Sequence, residues 1–437
     1  MKILKFGGTS VGNAKNIRKV SAIINNDKEP KIVVLSAVSG TTNTLLDYVK
    51  LKAENHLAQA NELIDTLYSE YEILIKELYS TNKKKGEANV FISKIFNSLK
   101  TFNDEKIIVA QGEILSTNLF QFLQEEQHHD TALISALDFM ILNEMGEPAY
   151  EQIEPQLQKL IKKEQITTYI TQGFICKNAL GKTDNLKRGG SDYTASIIGA
   201  ALNARQIEIW TDISGMQNND PRYVKNTSAI NEISFDEAAE LAYFGAKILH
   251  PQSIIPAQKN GIPVWLKNTF KPYDYGTLIS NCKKRVGVRA IAAKDDITAI
   301  KIKSYRMLMA YGFLKKIFEV FEKYKTAIDM ITTSEVAVSL TIDNDYALTK
   351  ITKELEEYGK ITVDTNLSII CLAGNFSGES KGMSAGVLNC LKNIPLRMIS
   401  HGGSDYNMSL LIKTEYKKEA LLALHEGLFK KQKSLVT

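Results

Sequence analysis

Apolar residues along the chain alternate between two textures. Short runs at 31–36 (KIVVLS), 131–135, 168–174 and 206–211 (QIEIWT) have the length and β-branched content of buried strands. Longer segments between them carry leucine, isoleucine and tyrosine at three- and four-residue spacing, which predicts helices. That alternation points to a parallel sheet covered by helices. From about 45 to 123 the pattern is almost wholly helical, with turn chemistry only at 82–86, and reads as a helical insertion or lid. After Asn268 the texture changes. Residues 273–277 (YDYGT) are turn-rich, and from Asp295 and Asp296 short strands and single helices take over, so the main boundary is set near residue 290. Strand-like 297–303, helix-like 312–325 and strand-like 337–342 are followed by a similar succession at 367–373, 384–392 and 409–413. Two related small units are expected, at 291–365 and 366–437, after a first domain at 1–290.

Composition narrows the class. With 44% hydrophobic and 24% charged residues the chain can bury full cores, which excludes disorder as its default state. The net charge of +5 comes from lysines spread along the chain, with short runs only at 83–85 and at Lys430, Lys431 and Lys433. Those runs read as solvated faces, so no nucleic-acid partner is expected. No window reaches the roughly 18 apolar residues of a membrane span. Cys176, Cys282, Cys371 and Cys390 lack C-x-x-C spacing, and no leader precedes the first strand. Reduced thiols and a cytoplasmic location are expected. The six histidines show no ligand spacing, so no histidine-held metal is expected.

Candidate chemistry gathers where strands end. The first strand closes in KFGGTSVG, residues 5–12. Gly7 and Gly8 can turn backbone N–H groups toward phosphate oxygens at a helix start, and Lys5 can neutralise a transferring phosphoryl group. The lysine precedes the glycines, unlike a P-loop, and a plain strand–helix turn with a surface lysine accounts for the same residues. Ser36 and Thr42 lie in SAVSGTTN, a second strand end, which an N-cap also explains. In LKRGGSDYT, residues 186–194, Arg188 can clamp a carboxylate bidentately, and Asp192 can fix an ammonium group or a substrate-binding lysine. Thr211 and Asp212 close another strand ahead of Asp220-Pro221-Arg222, where nucleotides bind in open sheets and where a polar turn is equally at home. Glu113 reads as lying at the start of a helix, favoured there by the dipole, and Lys247 as a helix-surface lysine.

Taken in order, KFGGTSVG, GEILST (112–117), TQGFI (171–175), RGGSDYT (188–194), WTDISG (210–215), DPR (220–222) and FGAKILHP (244–251) resemble the aspartokinases of the amino-acid kinase family. The resemblance implies an α/β fold, a mainly parallel sheet sandwiched between helices, followed by two α+β regulatory domains of the ACT type. It also implies a monofunctional enzyme that transfers phosphate from ATP, with Mg²⁺, to the side-chain carboxylate of L-aspartate, the first step toward lysine, threonine and methionine. By that resemblance Lys5 and Asp192 are catalytic. Thr42, Glu113, Arg188 and Ser191 bind aspartate. Gly7, Gly8, Ser36, Thr211, Asp212, Arg222 and Lys247 bind ATP. Gln217 stands where similar enzymes often carry tyrosine. The runs at 307–321 and 329–340 resemble the lysine-sensitive type, which implies a lysine effector at Met307, Gly312, Phe313, Leu314, Asp329, Ser334 and Glu335. It implies as well a homodimer or higher oligomer through the ACT domains. Ala327 replaces a serine often seen there. Glutamate, acetylglutamate or uridylate kinases of the same fold are the neighbouring readings, and a non-catalytic amino-acid sensor is the reading from another class.

Overall fold

Parallel pairing around one apolar strand organises the first part of the molecule. The structure is a computed structural model that describes residues 1–161, 166–186, 189–244, 249–282, 286–305, 311–376 and 381–430. Two compact units emerge from it. Residues 1–216, 231–235 and 249–282 form the first. Residues 217–230, 236–244 and 286–430 form the second.

The elements run β1 (Lys2–Phe6), α1 (Ala14–Asn26), β2 (Lys31–Leu35), α2 (Thr41–Ala53), α3 (Leu57–Leu78), α4 (Asn82–Thr101), α5 (Glu105–Glu126), β3 (Thr131–Leu133), α6 (Tyr150–Leu160), β4 (Thr168–Gln172), β5 (Ile175–Lys177), β6 (Thr183–Asn185), α7 (Gly190–Ala201), β7 (Gln206–Thr211), β8 (Glu232–Ser234), α8 (Phe235–Phe244), α9 (Ile255–Lys259), β9 (Val264–Asn268) and β10 (Thr277–Ser280). Eight strands make one sheet in the order β3-β4-β2-β1-β7-β9-β10-β8, and β9 with β10 is its antiparallel pair. In β1 every side chain but Lys5 is buried. The chain leaves β1 toward β2 on one side and returns as β7 on the other. The carboxyl end of β1 is therefore a topological switch point, the place where such sheets bind ligands.

The helical stretch expected as an insertion is α2 to α5. Leu45, Tyr48, Ile64, Tyr71, Phe96 and Leu99 share one buried cluster with Leu4, Phe6, Val33 and Leu35 of the sheet. It is a fixed layer, not a lid. The polar run at 82–86 starts a helix instead of breaking one, because Thr81 caps α4 by accepting the Lys84 N–H at 3.3 Å.

The second unit continues with β11 (Gly287–Lys303), α10 (Phe313–Lys323), β12 (Ile331–Thr333), β13 (Ala337–Ile342), α11 (Leu348–Leu355), β14 (Lys360–Asn375), α12 (Met383–Cys390), β15 (Met398–His401), β16 (Asn407–Lys413) and α13 (Lys417–His425). Its antiparallel sheet runs β12-β13-β11-β14-β16-β15. The long strands β11 and β14 are shared between two halves. Residues 298–303 pair with β13, and Ile300 and Ile302 pack with Phe313, Ile317, Leu340 and Leu355. Residues 287–294 pair instead with the later part of β14, where Ile291 packs with Ile370, Leu372, Val387, Leu410 and Leu421. Asp296, in the left-handed region at φ 61°, sits at the register shift between these stretches. Segment 217–230 joins the second half: Asn219 Nδ2 donates to Leu421 O at 3.0 Å, and Val224 enters its core.

The shared strands approach closely at Gly374, where a β-carbon would overlap the Gly287 carbonyl oxygen. Gly374→Ala is predicted to cost about 2–3 kcal/mol, as overpacking typically does. A lowered thermal midpoint in circular dichroism, with the sheet content kept at low temperature, is the expected result.

Candidate active site

The turn that follows β1 is laced to its neighbours. Gly7 N–H donates to Trp210 O at 3.3 Å and Ser36 N–H to Phe6 O at 3.2 Å, so the ends of β1, β2 and β7 are held side by side. A β-carbon on Gly8 would come within 3.2 Å of the Ala37 carbonyl oxygen. Glycine there lets the first turn lie against the second.

Lys5 points from β1 toward α7 and pairs with Asp192 at 2.7 Å, both side chains being about 85–90% buried. Asp192 lies in the first turn of α7, where the helix dipole favours a carboxylate. The left-handed φ of Gly189, 68°, opens that helix, which explains the glycine in the Arg-Gly-Gly-Ser-Asp run. Ser191, next to it, accepts a hydrogen bond from Ser36 Oγ at 2.9 Å. A β-carbon on Gly173, just past β4, would overlap the Ser191 side chain.

Glu113 departs from the sequence expectation. It lies in the middle of α5, not at its start, so the helix dipole does not account for it. Its side chain is buried, Oε1 accepts the Ala37 N–H at 3.3 Å, and Oε2 has no donor. Burial pushes its carboxyl up to about 8, although the Ala37 N–H works the other way. Gly112 beside it lets α5 press on the second turn, since a β-carbon there would lie 2.9 Å from Ala37 Cβ. Thr42, half-buried in the first turn of α2, follows Gly40 at φ 90°.

Thr211 ends β7 and its hydroxyl donates to the exposed Asp212 at 3.1 Å. Ser10 and Thr269 were not singled out from the sequence, yet their hydroxyls meet at 2.7 Å beside this strand end. Short polar residues in a turn carry no pattern that would mark them. Lys5, Gly7, Gly8, Ser36, Thr42, Glu113, Ser191, Asp192, Thr211 and Asp212 thus all stand at or against the carboxyl edge of the first sheet. Arg222 belongs to the second unit, where its guanidinium grips Asp220 at 2.6–3.0 Å. Burial alone would raise the Asp220 carboxyl, and the Arg222 hydrogen bonds and charge hold it below its usual range. Arg188, Lys247 and Met307 lie outside the described residues.

The regulatory candidates divide within one chain. Gly312, at φ 77°, opens α10 ahead of the buried Phe313 and the exposed Leu314. Ser334 and Glu335, both exposed, form the tip between β12 and β13. Asp329 lies at the opposite end of β12, its side chain fully buried and its carboxyl raised by that burial. Five residues lie between it and Glu335, three of them the strand β12, so the two carboxylates stand at opposite ends of that strand, at most about 20 Å apart along the chain.

The arrangement offers an ammonium and turn N–H groups for an anion at the end of β1, and close by, through the 36–37 turn, a buried carboxylate lacking a counter-charge. That combination suits an amino acid and a phosphate donor together. Among the described residues no three His, Cys, Asp or Glu side chains form a metal cluster.

Comparison with known proteins agrees. Residues 1–268 match the amino acid kinase family and residues 370–428 an ACT domain. Lysine-sensitive aspartokinase 3 of Escherichia coli is 32% identical, over 98% of this chain and 99% of its own. Chloroplastic aspartokinase 3 of Arabidopsis thaliana is 33% identical over 98% and 81%. Among solved structures, E. coli aspartokinase III with lysine and aspartate superposes with a TM-score of 0.84 at 31% identity, covering 98% and 99% of the two chains. Clostridium acetobutylicum aspartate kinase gives 0.86 at 25%, covering 98% and 100%. The chain belongs to the amino acid kinase family, among its aspartokinases.

Proposed function

We infer that this chain phosphorylates the side-chain carboxylate of L-aspartate with ATP, yielding 4-phospho-L-aspartate and ADP, and that lysine inhibits it. The observation that carries the reading is the buried Lys5–Asp192 pair at the switch point, next to a buried glutamate with a vacant oxygen. E. coli aspartokinase III has been solved with aspartate and ADP, and with lysine and aspartate.

In this reading a carboxylate oxygen of the substrate attacks the γ-phosphorus, the bond from phosphorus to the bridging oxygen breaks, and ADP leaves with that oxygen. A carboxylate is already a nucleophile, so no general base is needed and rate comes from alignment and charge neutralisation. Lys5 faces the charge that develops on the transferring group, and Asp192 fixes its position. Gly7, Gly8 and Ser36 meet phosphate oxygens. Glu113 receives the substrate's ammonium, Arg188 its α-carboxylate, and Thr42 and Ser191 hold its remaining oxygens. Thr211, Asp212, Arg222 and Lys247 serve the nucleotide. Asp192, beside Lys5, is the carboxylate that would help hold a Mg²⁺ arriving with ATP, and such an ion would supply charge neutralisation at the phosphates. A cytoplasmic location fits cysteines that form no disulfide among the described residues.

Lysine's two ammonium groups are only about six bonds apart, too short a reach for Asp329 and Glu335 at the two ends of β12 in one chain. Taking one from each of two protomers resolves this. It agrees with exposed Leu314 and Phe318, an i,i+4 apolar pair on the surface of α10 that suits a homodimer.

Acyl phosphate trapped as the hydroxamate tests the main reading: aspartate should give product, glutamate none, and Lys5→Ala should lose turnover by about a thousandfold while staying folded. Product from glutamate alone would sink it. Glu113→Gln should raise the KM for aspartate about tenfold or more, since an amide cannot neutralise the ammonium. Glu113 bears on stability as well. Its folded carboxyl sits near 8 against an ordinary 4.5, so its favourable contribution is complete below 4.5 and is lost as pH rises toward 8. The Gln variant should therefore show a flatter decline of thermal midpoint over that window. Phe318→Lys should shift sedimentation toward the monomer and weaken lysine inhibition together. A dimer that keeps full lysine response would count against the α10 interface.

A further inference from the structure

The turn that follows β4 is strained. Phe174 has φ 67°, a left-handed conformation that is an outlier for a bulky side chain. The Ile175 N–H closes back on the Gly173 carbonyl at 2.7 Å, so Phe174 is the middle residue of a tight three-residue turn in its rarer, strained hand. Strain of this kind persists only where the surroundings fix it, and it gathers at working sites. Three contacts fix it here. The Phe174 N–H donates to Thr194 Oγ1 at 2.9 Å, its carbonyl accepts the Leu186 N–H at 2.7 Å, and its ring packs against the apolar cluster of the first unit. Thr194, fully buried on α7, donates in turn to the Gly190 carbonyl at 3.4 Å, and Gly190 is itself left-handed at φ 46°.

We propose that Thr194 is a positioning residue for aspartate: its hydroxyl clamps the strained Phe174 turn to the first turn of α7 and so keeps Ser191 seated against Gly173. This rests on the reading of Ser191 as an aspartate residue. The seat is tight, since a β-carbon on Gly173 would overlap the Ser191 side chain, and it is there that Ser191 meets Ser36 at 2.9 Å. If Phe174 relaxed to a negative φ, the peptide between Gly173 and Phe174 would rotate and the seat would be lost. Thr194 thus keeps populated a conformation that the backbone alone disfavours. Without its hydroxyl only a fraction of the molecules would be ready for substrate, and the apparent affinity falls by that fraction. In the sheet β2 separates β4 from β1, and β7 lies beyond β1. The turns of β1 and β7 assigned above to ATP are therefore spared, and the effect belongs in the KM for aspartate.

Steady-state kinetics of the wild type, Thr194→Val, Thr194→Ser, Phe174→Gly and the pair Phe174→Gly with Thr194→Val test this. Valine matches threonine in shape and lacks the hydroxyl, so it should raise the KM for aspartate about three- to tenfold, the range of one hydrogen bond. The KM for ATP and kcat should stay near wild type. Serine keeps the hydroxyl and should behave as the wild type does. Glycine adopts the left-handed conformation without a clamp, so Thr194→Val should change little once Phe174 is replaced. Equal losses in both backgrounds, or a serine variant as impaired as the valine one, would show that Thr194 only fills space and overturn the proposal. Wild-type constants in Thr194→Val overturn it as well. No aspartate-dependent product from the wild type overturns it together with the function on which it rests. Hydrogen exchange of the wild type checks the clamp without a substitution: the Phe174 amide should exchange slowly before any ligand is added, and exchange at the rate of an open loop defeats the proposal.

Discussion

The pairing of Lys5 with Asp192 sets the terms for the rest of the first unit. A lysine ammonium that is mostly buried needs a counter-charge within contact distance to offset its lost hydration. The counter-charge comes from the first turn of α7, where the helix dipole also favours a carboxylate. From this follow the left-handed Gly189, the absence of a side chain at Gly173, and the serine pair that links α7 to the second turn. Catalysis in this frame is electrostatic preorganisation: the charges are placed before substrate arrives, so they need not move when the phosphoryl group does.

Much of this was legible in the sequence because glycine-rich turns and charged strand ends are local. KFGGTSVG closes its strand in a turn, and in RGGSDYT the residues from Gly189 onward open a helix that carries Asp192 to Lys5. Short apolar runs and three-to-four-residue spacing likewise located the sheet strands and the helical layer. What local pattern could not supply was depth. Glu113 sits among apolar residues whose spacing says helix but not which residue is its first. Its real position, mid-helix and buried, changes the physical account from a dipole-stabilised anion to a carboxyl held near 8. Asp329 is a parallel case. Adjacent in sequence to the β12 hairpin and read with its tip, it is engaged by α8 and β11 at the other end, since a strand carries neighbours in sequence about 3.3 Å per residue apart.

Two opposite uses of a buried carboxylate are present in one chain. Asp192 has a cation permanently beside it and serves as a fixed part. Glu113 has none, so burial favours its neutral form until a ligand brings a cation to the vacant oxygen. A fully satisfied site would bind tightly to nothing. Leaving one oxygen vacant in a buried place concentrates the gain from a matching ammonium, and the cost appears as a stability that falls with rising pH.

The exchange of strands in the second unit bears on how the molecule is made. Residues 287–294 leave the ribosome well before β16, whose partner β14 they pair with, so their own half cannot close until more than a hundred further residues have been added. The other half, complete once the first residues of β14 have paired with 299–303, closes first and must hold a long strand whose end has an open edge. Open edges of this kind recruit other chains. A nascent chain halted between β14 and β16 is thus the form of this molecule most prone to pair with copies of itself, and the speed of synthesis across that interval governs how many copies reach the folded state.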